Sequence, residues 1–491
     1  MREFDKLSDS EIEFLRMVSA AAVANPFGTE RDSIDQDLFR RLSDRTHQLT
    51  TKSIGTATQE ILSKSGFGGE KRSSNILSDV GHICTDAALF AVFHKFMDQF
   101  DEFIEEQQES PGKNLKLPFA VEIASELGRY GFLAQTEHIV SIFFQMRRAF
   151  YFISKLVTGE SPCVRELRVH LWRSLFTHDL RFYLAGLHEN LENFSILLLG
   201  ETGVGKSQAA AALGRCAYIP FSIKTSTFSA SFLDIYIPAN ISEYSANLLE
   251  SELFGHKKGS FTGALESYEG LLGRTHVNGV LFLDEIGELS SSLQVKLLRV
   301  LQERVYCPVG SHEQKRFSGR LVSATNADIF SKIKSGAFRS DLYYRLASDV
   351  IQIPPLRQRL SESRSEAFEI ASRVLARIVR EPEPQFVKRC LNDVLSQLPK
   401  DYSWPGNVRE FEQYLRSATL HGSSWRQHAP ALSSVPVQGE ADVVNAWSTA
   451  QWSADEMLAA YVKHTFQQLG SYEKVARRLK IDWRTVKKWA V

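Results

Sequence analysis

The segment that most constrains the fold of this chain is a glycine-rich turn between an apolar strand and a helix. An apolar run from Phe194 to Leu199 leads into the turn, and a helical pattern from Ser207 to Leu213 follows it. The turn consists of Gly200, Glu201, Thr202, Gly203, Val204, Gly205, Lys206 and Ser207. In this order the elements form a phosphate-binding P-loop, whose backbone N–H groups and helix N-terminus face the phosphates. Lys206 would neutralise the β and γ oxygens, and the Ser207 hydroxyl would coordinate Mg²⁺.

An acidic pair ends a second apolar strand. Val280 to Leu283 is followed directly by Asp284 and Glu285. Adjacent carboxylates alone are a weak signal, but behind a P-loop they indicate that Asp284 holds Mg²⁺ while Glu285 polarises the attacking water. The sequence therefore predicts a site for ATP and Mg²⁺, with ATP hydrolysis as its chemistry.

The whole chain divides into segments of different character. With 491 residues it is too long for one core, and about 150 residues per domain would give about three domains. Around the P-loop, short apolar strands alternate with helical patterns, which predicts a parallel α/β sheet covered by helices. The predicted segments are a mainly α-helical N-terminal region at 1–172, the α/β ATPase core at 173–352, a helical lid at 353–422, a linker at 423–453 and an α-helical C-terminal module at 454–491.

A run that ordinary nucleotide hydrolases lack lies between the two nucleotide motifs, from Glu250 to Ala264. Its last six residues are Gly259, Ser260, Phe261, Thr262, Gly263 and Ala264. Because glycine tolerates backbone angles that other residues avoid, a glycine on each side lets a hairpin expose Phe261 and Thr262 at its tip. These six residues resemble the GAFTGA loop of the sigma-54-dependent transcription activators, the bacterial enhancer-binding AAA+ proteins, with Ser260 in place of the usual alanine.

This resemblance covers roughly residues 190 to 422 and the C-terminal module. It implies an AAA+ P-loop fold, a hexameric ring with a dimer as a candidate inactive state, and contact between the six-residue loop and sigma-54. The implied site residues are Asn240 as a switch that hydrogen-bonds Glu285, Asn326 as a sensor of the γ-phosphate, Arg409 as a lid contact to the phosphates, and Arg339 and Arg345 as arginine fingers. An arginine finger reaches into a neighbouring protomer's site and is worth about a thousandfold or more in rate, so catalysis would require the ring.

The chain departs from the family pattern without losing a catalytic group. Ser207 stands where most relatives carry an acidic residue. The segment between Cys216 and Pro238 is longer than in relatives, and its aromatic residues predict an extra packed hairpin or helix. These aromatic residues are Phe221, Phe228, Phe232 and Tyr236.

The segment Tyr461 to Val491 predicts two short helices joined by a tight turn that contains Lys480. It resembles the Fis-like helix-turn-helix that ends these activators, although Lys480 replaces the glycine common in the turn. From Ser471 onwards seven basic residues oppose two acidic ones, a local charge of +5 that suits the phosphates of double-stranded DNA. The candidate DNA-binding residues are Arg477, Arg478, Trp483, Arg484, Thr485, Lys487 and Lys488. The alternative is a basic helical hairpin that serves only as solvated surface or as a docking element.

The N-terminal region occupies the place of a regulatory, signal-sensing domain. An aromatic stripe at helical spacing is formed by Phe90, Phe93, Phe96, Phe100 and Phe103. Such a stripe is far more often core or a dimer seam than a ligand pocket. The region contains no phosphoacceptor, haem, flavin or metal signature, so a protein and a small molecule are equal candidates for its signal. Gly159 to Pro162 is the predicted domain edge.

The composition of the chain mainly indicates the cellular compartment of the protein. Lys plus Arg equals Asp plus Glu at 58 each, so net charge alone indicates no polyanion partner. The five cysteines are far apart, the charged N-terminus does not resemble a signal peptide, and no apolar stretch approaches a membrane span. We therefore expect a cytoplasmic protein.

Together these features predict a transcription activator bound to upstream DNA, whose ring hydrolyses ATP to remodel the closed complex of the sigma-54 RNA polymerase holoenzyme into the open complex. Two alternatives stay open. One is a DNA-binding regulator with a regulatory ATP site that acts on another sigma class, and the six-residue loop disfavours it. The other is a P-loop remodeller of a protein client, such as a chelatase or chaperone, and the C-terminal module disfavours it.

Overall fold

The computed structural model describes residues 7–43, 50–67, 79–399 and 401–427, together with residue 453 and short stretches between 458 and 489. The chain forms two compact units, Met1–His428 and Ala429–Val491. The first unit contains the N-terminal region, the ATPase core and the lid. The second contains the C-terminal module.

The N-terminal region folds into helices, as predicted. They are α1 (Asp9–Val23), α2 (Thr29–Leu42), α3 (Thr51–Ser65), α4 (Asp79–Lys95), α5 (Met97–Glu109), α6 (Ala120–Arg129), α7 (Thr136–Leu156), α8 (Pro162–Phe176) and α9 (Leu180–Leu184). The aromatic stripe divides between α4 and α5, which meet at Phe96. Phe96 and Phe100 are buried and pack on Phe119, and Phe103 packs on Phe144, so the core prediction is confirmed for these residues. Helix α8 continues past the predicted boundary at 172.

A five-stranded parallel sheet forms the centre of the ATPase core, with the strand order β4–β5–β8–β1–β9. The strands of the core are β1 (Ile196–Leu199), β2 (Phe221–Ser222), β3 (Thr227–Phe228), β4 (Tyr236–Asn240), β5 (Val280–Asp284), β6 (Val305–Tyr306), β7 (Lys315–Arg316), β8 (Arg320–Thr325) and β9 (Asp349–Gln352). The central strands are almost wholly apolar because helices cover both faces of a parallel sheet. Since the strands are parallel, the ends of β1, β5 and β8 meet at one edge, where the nucleotide motifs lie.

Helices cover this sheet and form the lid. In the core they are α10 (Lys206–Gly214), α11 (Ala246–Phe254), α12 (Gly270–Arg274), α13 (Ser291–Glu303), α14 (Ile329–Lys334) and α15 (Ser340–Leu346). The lid contains α16 (Leu356–Glu362), α17 (Glu366–Ala376), α18 (Pro384–Leu395) and α19 (Asn407–His421). Helix α10 has the place that the P-loop pattern predicts, directly after the glycine-rich turn.

The lid continues beyond its predicted end at residue 422. A 3₁₀ helix spans Gly422–Gln427, Trp425 within it is 1% exposed, and its indole Nε1 donates to the Asp393 carbonyl at 2.7 Å. The first residues of the predicted linker therefore belong to the lid, because a buried tryptophan anchors them. The rest of that linker, apart from Ser453, lies outside the described residues.

The extra hairpin predicted between Cys216 and Pro238 forms from the antiparallel pair β2 and β3. It packs against the N-terminal region. The rings of Phe144 and Phe228 lie 4.4 Å apart, Asn114 Nδ2 donates to the Phe228 carbonyl at 3.0 Å, and the Phe221 N–H donates to Ser141 Oγ at 2.8 Å. The aromatic residues of this extra segment thus form the surface on which the N-terminal region sits.

The predicted domain edge at Gly159 to Pro162 is fixed to the lid. The backbone N–H groups of Glu160 and Ser161 donate to Glu366 Oε2 at 2.6 and 3.0 Å, and Glu366 also pairs with Arg359 in a buried ion pair. A Cβ atom at Gly159 would lie 2.1 Å from Glu366 Oε1, so only glycine fits there. The N-terminal region therefore contacts both the core and the lid.

The second unit contains helices α20 (Tyr472–Leu479) and α21 (Trp483–Trp489) around a small core of Val462, Val475 and Val486. Lys480 ends α20 with a φ of +56°, the left-handed conformation that normally favours glycine. The two helices and the tight turn agree with the predicted pattern. Across both units, none of the helices within the described ranges is long and apolar enough to cross a membrane.

Candidate functional site

The P-loop encloses the Lys206 side chain. Lys206 Nζ donates to the carbonyls of Gly200 and Glu201 at 2.9 and 3.1 Å. Burial lowers the pKa of Lys206, the carboxylates of Glu285 and Asp284 act in the opposite direction, and the nearby Arg409 lowers it further. The ammonium therefore lies inside the turn, where it can move from loop carbonyls to phosphate oxygens with a small change in position.

The two predicted magnesium ligands lie together. Ser207 Oγ, at the start of α10, donates to Asp284 Oδ2, at the end of β5, over 3.1 Å. A hydroxyl and a carboxylate are hard oxygen donors of the kind that Mg²⁺ accepts beside phosphate oxygens. These residues fit the metal.

The predicted water-activating residue, Glu285, lies next to the predicted phosphate sensor. Glu285 Oε2 accepts from the Asn326 N–H at 3.3 Å, and Asn326 Nδ2 donates to Thr202 Oγ1 of the P-loop at 2.8 Å. Glu285 itself has a φ of +57°, which is uncommon for a residue with a side chain and is concentrated at functional sites. One network thus joins the acidic strand end, the end of β8 and the P-loop.

Asn240 does not make the hydrogen bond to Glu285 that the family resemblance implies. It lies opposite Asp284 in the sheet register, but its Oδ1 accepts from the Ser242 N–H at 3.1 Å and its Nδ2 donates to Glu243 Oε1 at 3.3 Å. The amide is occupied because it caps the 3₁₀ turn Ile241–Glu243 that leads towards α11. In this conformation Asn326 contacts Glu285 instead.

Two lid residues that the sequence did not single out as site residues hold the P-loop. Arg357 Nη1 lies 2.8 Å from Glu201 Oε2, and this ion pair lowers the pKa of Glu201. Asn407 Nδ2 donates to Glu201 Oε2 at 3.0 Å and to the Thr202 carbonyl at 3.1 Å. The sequence did contain a signal for these contacts. Glu201 is a charged residue within the P-loop, and its carboxylate indicates a partner that is positively charged or donates hydrogen bonds.

The lid backbone also touches the P-loop. The Val408 N–H donates to the Gly203 carbonyl at 3.1 Å, and a Cβ atom at Gly203 would lie 2.3 Å from the Gly406 carbonyl oxygen. Arg409 follows directly, has an exposed side chain and lies beside Gly203. Its predicted phosphate contact is therefore compatible with its position.

Both predicted arginine fingers lie on the surface at α15. Arg339 caps the helix and pairs with Asp341, with Nη2 2.7 Å from Oδ2. Arg345 is exposed, and no residue in the described part of the chain forms an ion pair with it. Neither arginine makes a hydrogen bond to a P-loop residue of its own chain within the same part, and both are accessible from solvent.

The six-residue loop presents its tip to solvent, as predicted. A β-bridge between His256 and Tyr268 closes its base, and the Gly259 N–H donates to the Ala264 carbonyl at 2.9 Å. Gly259 and Gly263 have φ angles of +79° and +105°. Phe261 is 41% exposed and Thr262 is exposed. The two flanking glycines thus supply the backbone angles that turn this pair outward.

Ser260 differs from the exposed Phe261 and Thr262 because its side-chain oxygen is buried. Its Oγ is buried and has no hydrogen-bond partner in the described structure. The backbone of Gly310 leaves no room beside it, since a Cβ atom there would lie 2.5 Å from Ser260 Cβ. Ser260 therefore packs as the usual alanine would, with an unsatisfied hydroxyl added.

The candidate DNA-binding residues lie mostly on the surface of the second unit. The exposed residues are Arg477, Arg478, Trp483, Arg484 and Lys487, while Thr485 is half-buried and the Lys488 side chain lies outside the described residues. Val475 and Val486 point the opposite way, into the core between the two helices. The basic side chains are thus free to meet a partner.

Comparison with known proteins extends these observations. Residues 186–353 match the Sigma-54 interaction domain family. The Nif-specific regulatory protein of Azotobacter vinelandii is 36% identical over 281 residues, 56% of this chain and 46% of that protein. Regulatory protein AtoC of Escherichia coli (strain K12) is 37% identical over 236 residues, 48% of this chain and 46% of that protein. The chain thus spans about half the length of the curated relatives it matches.

Among solved structures, NtrX from Brucella abortus in complex with ATP aligns with 80% of this chain and 85% of its own, at 20% identity and a TM-score of 0.42. That likeness is too low to support an inference.

The family match is more informative, because residues 186–353 include the P-loop, the acidic strand end and the six-residue loop. The resemblance seen in the motifs is therefore confirmed for this part of the chain: residues 186–353 belong to the Sigma-54 interaction domain family, and the regulatory proteins that the chain matches share that region with it.

Proposed function

We propose that this protein hydrolyses ATP as a ring and uses the reaction to remodel the sigma-54 RNA polymerase closed complex into the open complex. The observation that carries the proposal is the network at the sheet edge. Ser207 meets Asp284 at 3.1 Å, and Asn326 joins Glu285 to Thr202 of the P-loop. In this proposal Ser207 and Asp284 are the metal ligands, Glu285 is the water-activating carboxylate and Asn326 is the phosphate sensor, and these contacts support that assignment.

Each residue has a distinct task in hydrolysis. Mg²⁺ held by Ser207 and Asp284 would neutralise charge on the phosphates. Lys206 exchanges its loop carbonyls for phosphate oxygens, and Glu285 orients the attacking water. When the γ-phosphate leaves, Asn326 transmits the change to Glu285 through the hydrogen bond of its backbone N–H. Arg409 contacts the phosphates from the lid, whose angle is linked to the P-loop by Arg357 and Asn407.

The exposed position of the two predicted arginine fingers supports the proposed ring. Arg339 and Arg345 lie on the surface of α15, so they act on the ATP of the next protomer, where a cation stabilises charge on the transferred phosphoryl group. Arg339 first leaves its ion pair with Asp341. Such an exposed pair is weak and does not prevent the exchange.

A short path leads from the nucleotide to the loop. Asn240 lies opposite Asp284, and α11 runs from the turn that follows Asn240 to Gly255 at the base of the loop. An ion pair between Glu250 and Lys296 ties α11 to α13. If Asn240 leaves Glu243 for Glu285 when ATP is bound, the turn and α11 shift, and Phe261 and Thr262 move towards sigma-54.

The second unit holds the ring near its promoter. Its exposed basic residues meet the phosphates of upstream double-stranded DNA, and the residues at the start of α21 enter the major groove. Binding of this kind releases counterions, so affinity falls steeply as salt rises. All of these steps take place in the cytoplasm.

The proposal is tested by separating ATP hydrolysis from promoter melting. Thr262→Ala is expected to hydrolyse ATP near the wild-type rate but to produce no open complex on a sigma-54 promoter, measured by permanganate reactivity of the melted strands. Glu285→Gln is expected to bind ATP and do neither. The matched control is Thr56→Ala, an exposed threonine on α3, which changes neither activity. Loss of hydrolysis and melting together in Thr262→Ala would contradict the proposed division of tasks.

A further inference from the structure

A large, partly open cavity lies in the N-terminal region, separate from the ATP site. Its volume is about 600 Å³, and residues of α1, α2, α4, α7, α8 and α9 line it. Protein interiors are close-packed and leave few voids larger than a water molecule. Sites for small molecules have volumes of about 300–1,000 Å³, so this cavity has the size of a ligand site.

The lining of the cavity is mainly apolar. Its walls include Leu89, Phe93, Ile142, Phe143, Met146 and Phe150. Two members of the aromatic stripe, Phe90 and Phe93, line it, whereas Phe96, Phe100 and Phe103 do not. Apolar walls favour an apolar occupant over water. The aromatic stripe thus serves as core on α5 and as a cavity wall on α4.

The charged residues of the cavity are already paired within the chain. Arg31 Nε lies 2.8 Å from Asp35 Oδ1, and its Nη1 donates to the Ala21 carbonyl. Arg147 forms a two-point ion pair with Asp101.

The third arginine, Arg181, lies 3.5 Å from Asp86. No lining arginine or aspartate in the described ranges is left without an opposite charge, so an ionic ligand would find no free counter-charge. An uncharged ligand is favoured.

His94 is one of several uncharged polar residues among the apolar walls of the cavity. Its Nδ1 lies 2.9 Å from the Phe90 carbonyl oxygen, which can only accept, so Nδ1 carries the proton and Nε2 has the lone pair. Burial lowers the pKa of His94 to about 3, which keeps the ring neutral. Nε2 has no hydrogen-bond partner among the residues that the structure describes. It can therefore accept a hydrogen bond from an O–H or N–H group of a ligand.

Helix α7 is a wall shared by the cavity and the ATPase core. Ile142 and Met146 face the cavity. On its other side, Gln145 Nε2 donates to the Cys216 carbonyl and Arg148 Nη2 donates to the Ala217 carbonyl, both at 2.9 Å. These carbonyls lie directly after α10, the P-loop helix. Occupancy of the cavity therefore has a direct structural route to the nucleotide site.

We propose that this cavity binds an uncharged, mainly apolar small molecule with one hydroxyl or N–H group, which donates a hydrogen bond to His94 Nε2. The site is independent of the ATPase proposal, because its occupancy can be measured directly with or without hydrolysis.

Three fluorescent probes that share one ring system test the proposal on the full chain at pH 7. They are 1-hydroxypyrene, 1-methoxypyrene and pyrene-1-sulfonate, which carry a donor, a capped donor and a charge. Fluorescence anisotropy is expected to show saturable binding of 1-hydroxypyrene at one per chain, about tenfold tighter than that of the other two, because only it can donate a hydrogen bond to His94 Nε2. No saturable binding of any probe would overturn the site.

Variants locate the bound probe. Ile139→Trp fills the cavity and is expected to abolish binding, whereas Val121→Trp, at an exposed position of α6, is expected to leave it unchanged. His94→Phe is expected to bind 1-hydroxypyrene and 1-methoxypyrene equally. Circular dichroism checks each fold, and Met146→Trp replaces Ile139→Trp if the latter unfolds. Binding that survives both filling variants, or a preference for the hydroxyl that survives His94→Phe, would overturn the assignment.

Discussion

Glu201 of the P-loop and Arg357 of the lid form a two-point ion pair across the nucleotide site, with Arg357 Nη1 2.8 Å and Nη2 2.5 Å from the carboxylate oxygens. Asn407 adds a third hydrogen bond to the same carboxylate. The angle of the lid is thereby linked to the shape of the phosphate-binding turn. The side chains are 43% and 47% exposed, so solvent weakens the pair.

Breaking this pair is predicted to weaken ATP binding modestly. Glu201→Gln and Arg357→Gln should each loosen the lid, and a double-mutant cycle on the Kd of a fluorescent ATP analogue should give a coupling energy of about 0.5–1 kcal/mol, or two- to fivefold. Arg299→Gln, which breaks an exposed pair with Glu303 on α13, is the control and should have no effect. Strictly additive single effects would show that the pair does not couple lid and loop.

Stability is predicted to depend on pH through His94. Burial lowers its pKa to about 3 in the folded state, against about 6.5 when unfolded. Below pH 6.5 the imidazole of His94 therefore binds a proton in the unfolded chain but not in the folded chain. The free energy of unfolding has its full value above pH 6.5 and falls as the pH drops towards 3. The expected slope is about 1.4 kcal/mol per pH unit.

The variant His94→Gln isolates this effect. It lacks the titrating group but can still donate to the Phe90 carbonyl. Urea unfolding at pH 7 to 4, followed by circular dichroism, should show the wild type losing stability faster than His94→Gln. A constant difference between the two proteins over that range would mean that His94 does not titrate on unfolding.

Ser260→Ala is predicted to stabilise the protein. The buried hydroxyl has no partner in the described structure, and leaving such a group unsatisfied costs about 1–3 kcal/mol. Removing it should raise the urea midpoint of the ATPase core and leave ATP hydrolysis unchanged. Thr262→Ala removes an exposed hydroxyl from the same loop and should change stability by less than about 0.5 kcal/mol. If Ser260→Ala destabilises the core, the hydroxyl has a partner that the structure does not show.

Lys480→Gly is predicted to stabilise the pair of C-terminal helices. Lys480 has a φ of +56°, and a side chain in this conformation costs about 1–2 kcal/mol relative to glycine. Hydrogen exchange of peptides from 472–489 in the full chain should slow by about fivefold or more. Lys474→Gly, within α20, should speed exchange instead, because glycine inside a helix costs about 1 kcal/mol. Equal effects of the two changes would contradict the role of the turn.

The sequence predicted what depends on local pattern. The strand, turn and helix of the P-loop, the acidic end of β5 and the glycine-flanked tip at Phe261 follow from short segments whose residues fix their own geometry. Contacts between segments that are distant in the chain could not be predicted from the sequence. Nothing in the sequence near Arg148 indicates that its side chain contacts the carbonyls after α10. Trp425 was assigned to the linker because its hydrogen-bond partner, Asp393, lies in another helix. Asn240 shows a further limit, since its amide caps the 3₁₀ turn Ile241–Glu243, a contact that the family resemblance did not predict.

The proposed mechanism requires nucleotide-driven contact between the loop and sigma-54, so the decisive experiment is to trap that contact. Purified protein is mixed with sigma-54 and Mg²⁺-ADP, with or without aluminium fluoride as a mimic of the transferred phosphoryl group, and complexes are separated by size-exclusion chromatography. The account predicts a stable complex only with the fluoride present, and none with Thr262→Ala. A protein that hydrolyses ATP at a normal rate yet forms no complex in the trapped state would contradict it.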